Sequence, residues 1–262
     1  MQIPGRNSLQ AAARKGRQVL QRAFPVLGLR FTRRLPGAFQ PYNHTLPDRY
    51  PWLFGFAAAE LAAIAQPRIL SFGCSRGEEV FSLRRYLPTA AIKGIDVDPK
   101  NIACCIEGAR TRGSLGLSFE NAASSAREAD ESYDAIFCLA VLCLGDLTVR
   151  GATRSDPQLY FADFSRAVAD LARCLKPGGL LLLQTTSYRF GDTDTAADFE
   201  VVLEAQLSQL APDVLFGRDN RLLPGERYRA VAFRKRRHVG QSPETRGSQS
   251  FMKRCDASSS QG

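Results

Sequence analysis

The chain has 262 residues, 44% of them hydrophobic, with 35 Arg and Lys against 26 Asp and Glu and a net charge of +9. That length suits one substantial core with extensions, and no run of about 18 apolar residues is present, so a transmembrane segment is not expected. The charge is uneven: residues 1–40 hold eight Arg and Lys and no acid, and residues 234–262 hold seven against two acids, which leaves the middle mildly acidic.

Basic ends of this kind suit an anionic partner such as nucleic acid, lipid or an acidic protein. The N-terminus lacks the apolar stretch of a secretory signal. An Arg-rich, acid-free start also fits a transit peptide in a eukaryotic source. Seven cysteines, an odd number with no C-x-x-C pair, read as free thiols in a reducing, cytoplasmic setting. The expected organisation is a basic extension over 1–40, a folded domain over 41–236 and a disordered basic tail over 237–262.

In chain order, a basic helix with a weak apolar stripe is expected over 6–24, then Pro25, Gly28, Pro36 and Gly37 break regularity. PWLFGFAAAELAAIA, from Pro51, reads as a helix. Short apolar runs predict strands at Arg68–Phe72, Ala91–Ile95, Leu117–Glu120, Tyr133–Val141 and Leu180–Thr185. Between them, helices are expected over Glu78–Tyr86, over Pro99–Arg112 with Ile102, Cys105, Ile106 and Ala109 inward, and over Leu159–Leu175. Lys176-Pro177-Gly178-Gly179 should stop the last of these. A further helix over 195–210 and strands at Val214–Arg218 and Arg227–Phe233 complete the pattern. Strands apolar on both faces alternating with helices predict a parallel sheet covered on both sides.

The turn Gly73-Cys74-Ser75-Arg76-Gly77, after the first strand, is the richest local signal. Read as G-x-S-x-G, it would make Ser75 the nucleophile of a hydrolase, but that fold needs a later acid and then a histidine. The chain has only His44, which precedes Ser75, and His238, in a basic stretch. Read as a dinucleotide turn, it is one residue short of G-x-G-x-x-G, and Glu78 and Glu79 follow directly, where they would repel a pyrophosphate. Those carboxylates suit a ligand carrying an ammonium and a sulfonium, and S-adenosylmethionine is a phosphate-free nucleoside of that kind. Asp96, followed by Val97 at the end of the second strand, is placed to accept ribose hydroxyls. Asp98, before Pro99, is the better helix cap and leaves Asp96 freer.

The stretches ILSFGCSRGEE, IKGIDVDP, YDAIFCLAVL and CLKPGGLLLL together resemble class I S-adenosylmethionine-dependent methyltransferases over roughly Tyr42 to Phe233. The resemblance implies an α/β, Rossmann-like doubly wound, mostly parallel seven-stranded sheet with an antiparallel last strand. It also implies S-adenosyl-L-methionine as cofactor and an unidentified methyl acceptor, with a small molecule or protein favoured over a nucleic-acid base. The turn is most similar to the chemotaxis-receptor (CheR-type) branch, as is Asn43-His44-Thr45-Leu46-Pro47-Asp48-Arg49. By that similarity Asn43, Thr45 and Arg49 reach the methionine end of the cofactor, with Arg49 on its carboxylate. Gly73, Cys74, Ser75, Gly77, Glu78 and Glu79 surround it, and Asn121 and Ala122 fall where the adenine amino group is held. Leu139 and Ala140 stand where that branch has Arg-Asn. The alternative they favour is an inactive methyltransferase-fold protein that acts through its basic ends. His44, Asp48 and Tyr50 are candidate bases, and Tyr188 and Arg189 are candidates for the acceptor side.

Overall fold

A computed structural model describes residues 35, 37–211 and 213–237. The expected helix over 6–24, Cys255, and most of both basic ends lie outside the described residues. Helix α1 spans Pro51–Glu60, and five strands with four helices follow it. These are β1 (Arg68–Phe72), α2 (Glu78–Tyr86), β2 (Ala91–Asp96), α3 (Pro99–Thr111), β3 (Leu117–Asn121), β4 (Tyr133–Leu139), the short α4 (Gly145–Val149), α5 (Phe161–Cys174) and β5 (Leu175–Gln184). Then come β6 (Phe199–Glu204), a small hairpin of β7 (Leu215–Phe216) and β8 (Leu222–Leu223), and β9 (Ala230–Lys235).

Seven strands form one sheet in the order β3-β2-β1-β4-β5-β9-β6. The first five are parallel, and β9 runs antiparallel to both neighbours. The last strand is thus antiparallel but inserted between β5 and β6, not at the edge. All seven residues of β4 are buried, as a central strand covered on both faces requires. One side of the core gathers Phe164, Val168 and Leu171 of α5. The other gathers Leu53 and Phe54 of α1 with Val80 and Leu83 of α2. Strand order reverses between β1 and β4, which opens a crevice at their carboxyl ends.

Several local expectations are corrected. Residues 195–210 are not a helix: short 3-10 turns flank the strand Phe199–Glu204. This edge strand pairs only with β9 through a shifted register, so its exposure does not alternate cleanly. Lys176-Pro177-Gly178-Gly179 does not separate α5 from β5 but forms a bulge inside the strand, between the pairs Tyr133–Leu175 and Ala135–Leu180. The strand expected at Val214–Arg218 is only Leu215–Phe216, in the separate hairpin. Ile106 is 54% exposed, and Asn101 takes an inward place on α3 beside Ile102 and Cys105. Among the described residues the cysteines are free, and all are buried except Cys104. No described helix is long and apolar enough to cross a membrane.

Candidate functional site

A cleft of about 500 Å3 lies over the carboxyl ends of β1, β2 and β4. Its floor is built by backbone demands. Gly73 has φ +74°, and the amides of Gly73 and Cys74 both donate to Ile95 O, at 2.8 and 3.0 Å. Ser75 N donates to Asp96 Oδ2 at 2.8 Å, and Gly77 N to Cys74 O at 3.0 Å. Four amides of the turn are therefore spent on protein acceptors, which removes the donors a phosphate cradle needs.

Asp98 caps α3, accepting from Lys100 N at 2.9 Å. Asp96 is nevertheless not left free. Its Oδ1 accepts from Asp98 N at 2.9 Å and from Asn101 Nδ2 at 3.0 Å, besides the Ser75 bond. Asn101 Oδ1 accepts from Asn43 Nδ2 at 3.2 Å, and Ser75 Oγ donates to Asn43 O at 3.0 Å. Asp96, Asn101, Asn43 and Ser75 thus close a ring that ties the segment before α1 to the ends of β1 and β2. A second tie is Gln40 Nε2 donating to Ala140 O, and a third is Tyr42 OH donating to Asp146 Oδ1 at 2.8 Å. Burial and that carboxylate push the Tyr42 hydroxyl up to about 12.

Of the residues singled out from sequence, Asn43, Thr45, Arg49, Gly73, Cys74, Ser75, Glu79, Asp96, Val97, Ala122 and Leu139 line the cleft, as do His44 and Tyr50. Gly77, Glu78 and Asn121 do not. A Cβ on Gly77 would lie 2.8 Å from the Phe81 ring, so this glycine serves helix packing. Glu78 Oε2 is buried with no hydrogen-bond partner among the described residues. Asn121 Nδ2 is turned onto Asp96 O at 2.9 Å and braces the end of β2. Asp48 pairs with Arg85 and is not part of the cleft wall. Tyr188 is fully buried, its hydroxyl bonded to Ser155 Oγ, Leu159 O and Asn220 Oδ1, and Arg189 pairs with Asp192. Neither faces the cleft, because the loop after β5 turns into the core.

Sequence reasoning missed Asn101, Gln40 and Val141 as cleft residues. Asn101 carried a signal: a polar residue on the apolar face of an amphipathic helix. Backbone strain marks the same region. Ser75, Ala140 and Thr185, just beyond the ends of β1, β4 and β5, all have φ near +50 to +57° without being glycine.

Residues 70–183 match the family described as a methyltransferase domain. Over this stretch, 114 of the 262 residues, the chain is similar to that family. No curated protein sequence matches the chain. Among solved structures, the [4+2]-cyclase SpnF is 20% identical, with a TM-score of 0.44, over 64% of this chain and 60% of that one. YcgJ from Bacillus subtilis is 13% identical, with a TM-score of 0.43, over 71% and 95%. A putative sarcosine dimethylglycine methyltransferase from Galdieria sulphuraria is 20% identical, with a TM-score of 0.39, over 51% and 46%. The chain thus spans from under half to about three fifths of the length of the first and third of these structures.

S-adenosylmethionine is the cofactor that goes with this family likeness, and the cleft residues fit it. Glu79, half-buried on the wall, has the Ser71 hydroxyl as its donor at 2.7 Å, and burial pushes its carboxyl up to about 7. A desolvated carboxylate with no ion-pair partner among the described residues suits an ammonium group. Ala122, Leu139 and Val141 offer an apolar shelf for a flat base.

The raised Glu79 carboxyl has a readable sign. Its folded pKa lies above the unfolded value of 4.5, so its contribution to stability is complete below about pH 4.5 and lost as pH rises through about 7. Relative to Glu79→Gln, the wild-type chain is expected to lose on the order of a few kcal/mol across that window and little beyond it. Thermal unfolding from pH 4 to 8 reads this; parallel curves for the two proteins would contradict it.

Proposed function

We propose that the chain transfers a methyl group from S-adenosylmethionine to a small molecule or protein acceptor. The observation that carries this is the division of labour at the turn: its amides are consumed by Ile95 O and Asp96, while the Asp96 and Glu79 carboxylates line the cleft. That chemistry suits a cationic, phosphate-free nucleoside. In this reading Asp96, already oriented by three donors, keeps about one lone-pair site, on Oδ2, for a ribose hydroxyl. Glu79 takes the ammonium and Arg49 the carboxylate of the methionine end, and Arg49 is steadied by His44 O at 3.3 Å and by the Tyr50 ring. Ala122, Leu139 and Val141 hold the adenine, with Cys74 and Val97 completing the wall.

When bound, the cofactor supplies a methyl carbon activated by a sulfonium. The chain's own work is then alignment of the acceptor and exclusion of water. The segment 37–49, tied down by Gln40, Tyr42 and Asn43, covers the cleft and supplies that exclusion. His44 stands at the wall as the group able to take a proton from an acceptor that must lose one, whereas burial raises the Tyr50 hydroxyl and keeps it protonated. The CheR-type likeness rests on Asn43, Thr45 and Arg49 with the turn itself. An anionic partner at the basic ends is a separate proposal that rests on charge alone.

Calorimetric titration with S-adenosylhomocysteine tests the reading. Saturable binding in the micromolar range is expected, with at least a tenfold loss in Arg49→Ala. No heat at millimolar ligand would remove the proposal.

A further inference from the structure

A second, smaller cavity of about 40 Å3 lies beside the cleft, at the carboxyl end of β5. Its wall includes Gln184, Thr185, Asp213, Arg227 and Tyr228. It adjoins the main cleft through backbone: Ala140 N, on the cleft, donates to Gln184 O at 2.7 Å. The space admits one or two water-sized groups, a head group and not the body of a ligand.

The wall sets two carboxylates, Asp213 and Glu226, against one guanidinium, Arg227, whose Nη1 donates to Glu226 O at 3.5 Å. Gln184 is 2% exposed; its Nε2 donates to Gln209 O at 3.0 Å, yet its Oε1 has no partner among the described residues. A buried carbonyl oxygen left unmatched is destabilising, so the site calls for a donor. Thr186, on the same wall, spends its hydroxyl proton on Tyr188 O at 2.6 Å. The Tyr228 hydroxyl oxygen accepts from Gly191 N at 3.1 Å. Asp213 is held by Thr148, whose hydroxyl lies 3.3 Å from Oδ1 and itself accepts from Val214 N at 3.1 Å. Burial pushes the Asp213 carboxyl up, while the charges of Arg49 and Arg227 oppose that and favour the anion. The wall therefore offers an unmet amide oxygen and an excess of carboxylate, Asp213 and Glu226 against Arg227.

We propose that this cavity recognises an amine group on the methyl acceptor, with Gln184 Oε1 and the Asp213 carboxylate as its hydrogen-bond acceptors. The inference rests on the methyl-transfer reading and narrows its substrate class to small amines. A neutral alcohol satisfies only one of the two groups, and a carboxylate meets Asp213 and Glu226 with like charge against the single Arg227 guanidinium.

The test is titration of the full chain with propylammonium, propanol and propionate, followed by saturation-transfer NMR, each with and without saturating S-adenosylhomocysteine. Propylammonium is expected to bind at least tenfold more tightly than propanol, and propionate not at all. Gln184→Met and Asp213→Asn are each expected to weaken propylammonium at least fivefold while the Kd for S-adenosylhomocysteine stays within twofold. Propionate binding as tightly as propylammonium, or both variants leaving propylammonium unchanged, would overturn the proposal. Should Asp213→Asn fail to fold, Gln184→Met alone decides. Failure of S-adenosylhomocysteine to bind strikes the methyl-transfer reading instead, and the titration without it still reads the cavity.

Discussion

Asp96→Ala is expected to weaken S-adenosylhomocysteine binding a hundredfold or more and to lower the unfolding free energy by about 3–5 kcal/mol. Asp96 is 7% exposed and accepts from Ser75 N, Asp98 N and Asn101 Nδ2. Its removal strands three donors at once. A stranded buried donor costs about 1–3 kcal/mol, and the two nearer the rim recover part of that from water. Binding suffers more than stability because the same carboxylate is the proposed ribose anchor and also holds Ser75 in its left-handed conformation at φ +49°. Asn101→Ala separates the two effects. It breaks the ring to Asn43 without removing the carboxylate, so it should cost stability while S-adenosylhomocysteine affinity falls less than tenfold. Calorimetric binding and chemical unfolding on both variants decide. Equal losses of affinity would mean that Asp96 acts through the ring and not on the ligand.

Gly73→Ala is expected to cost about 2–4 kcal/mol of stability. Two effects combine at this residue. Its φ of +74° is a region that side chains enter at a penalty, and an added Cβ would sit 2.5 Å from Val141 Cγ2 and 2.9 Å from Cγ1. The second effect is removable. In the Gly73→Ala, Val141→Ala double variant the steric part should vanish and the dihedral part remain. A favourable coupling of roughly 1–3 kcal/mol is therefore expected from the cycle. Additive losses in urea unfolding would show that Val141 does not press on the turn. Val141 lies just beyond β4, so this one contact joins the β1 turn to the apolar wall of the cleft.

Much of this site was legible in the sequence because its signals are local. The turn with two glycines after an apolar run, the acid closing the next strand, and Asp98 before Pro99 as a cap are each set within a few residues. The resemblance added Asn43, Thr45 and Arg49, which do line the cleft. Less legible were the residues whose task depends on a distant partner. Asn101 sits inward because Asp96 and Asn43 are there to receive it. Asn121 sits close to the expected adenine position yet turns to Asp96 O, and Tyr188 is drawn into the core by Ser155 and Asn220.

The amino-acid sequence by itself determined the alternation of strands and helices, the turn at Gly73–Gly77 and the acid that faces it. Periodicity, glycine and capping act between near neighbours in the chain. Only the tertiary structure decided that residues 199–204 are an edge strand beyond an inserted antiparallel one. The same holds for the three donors that grip Asp96 and for the second cavity that opens beside the first. Those outcomes turn on which distant backbone and side-chain groups satisfy one another once buried, and hydrogen-bond satisfaction in a core is a property of the packed chain.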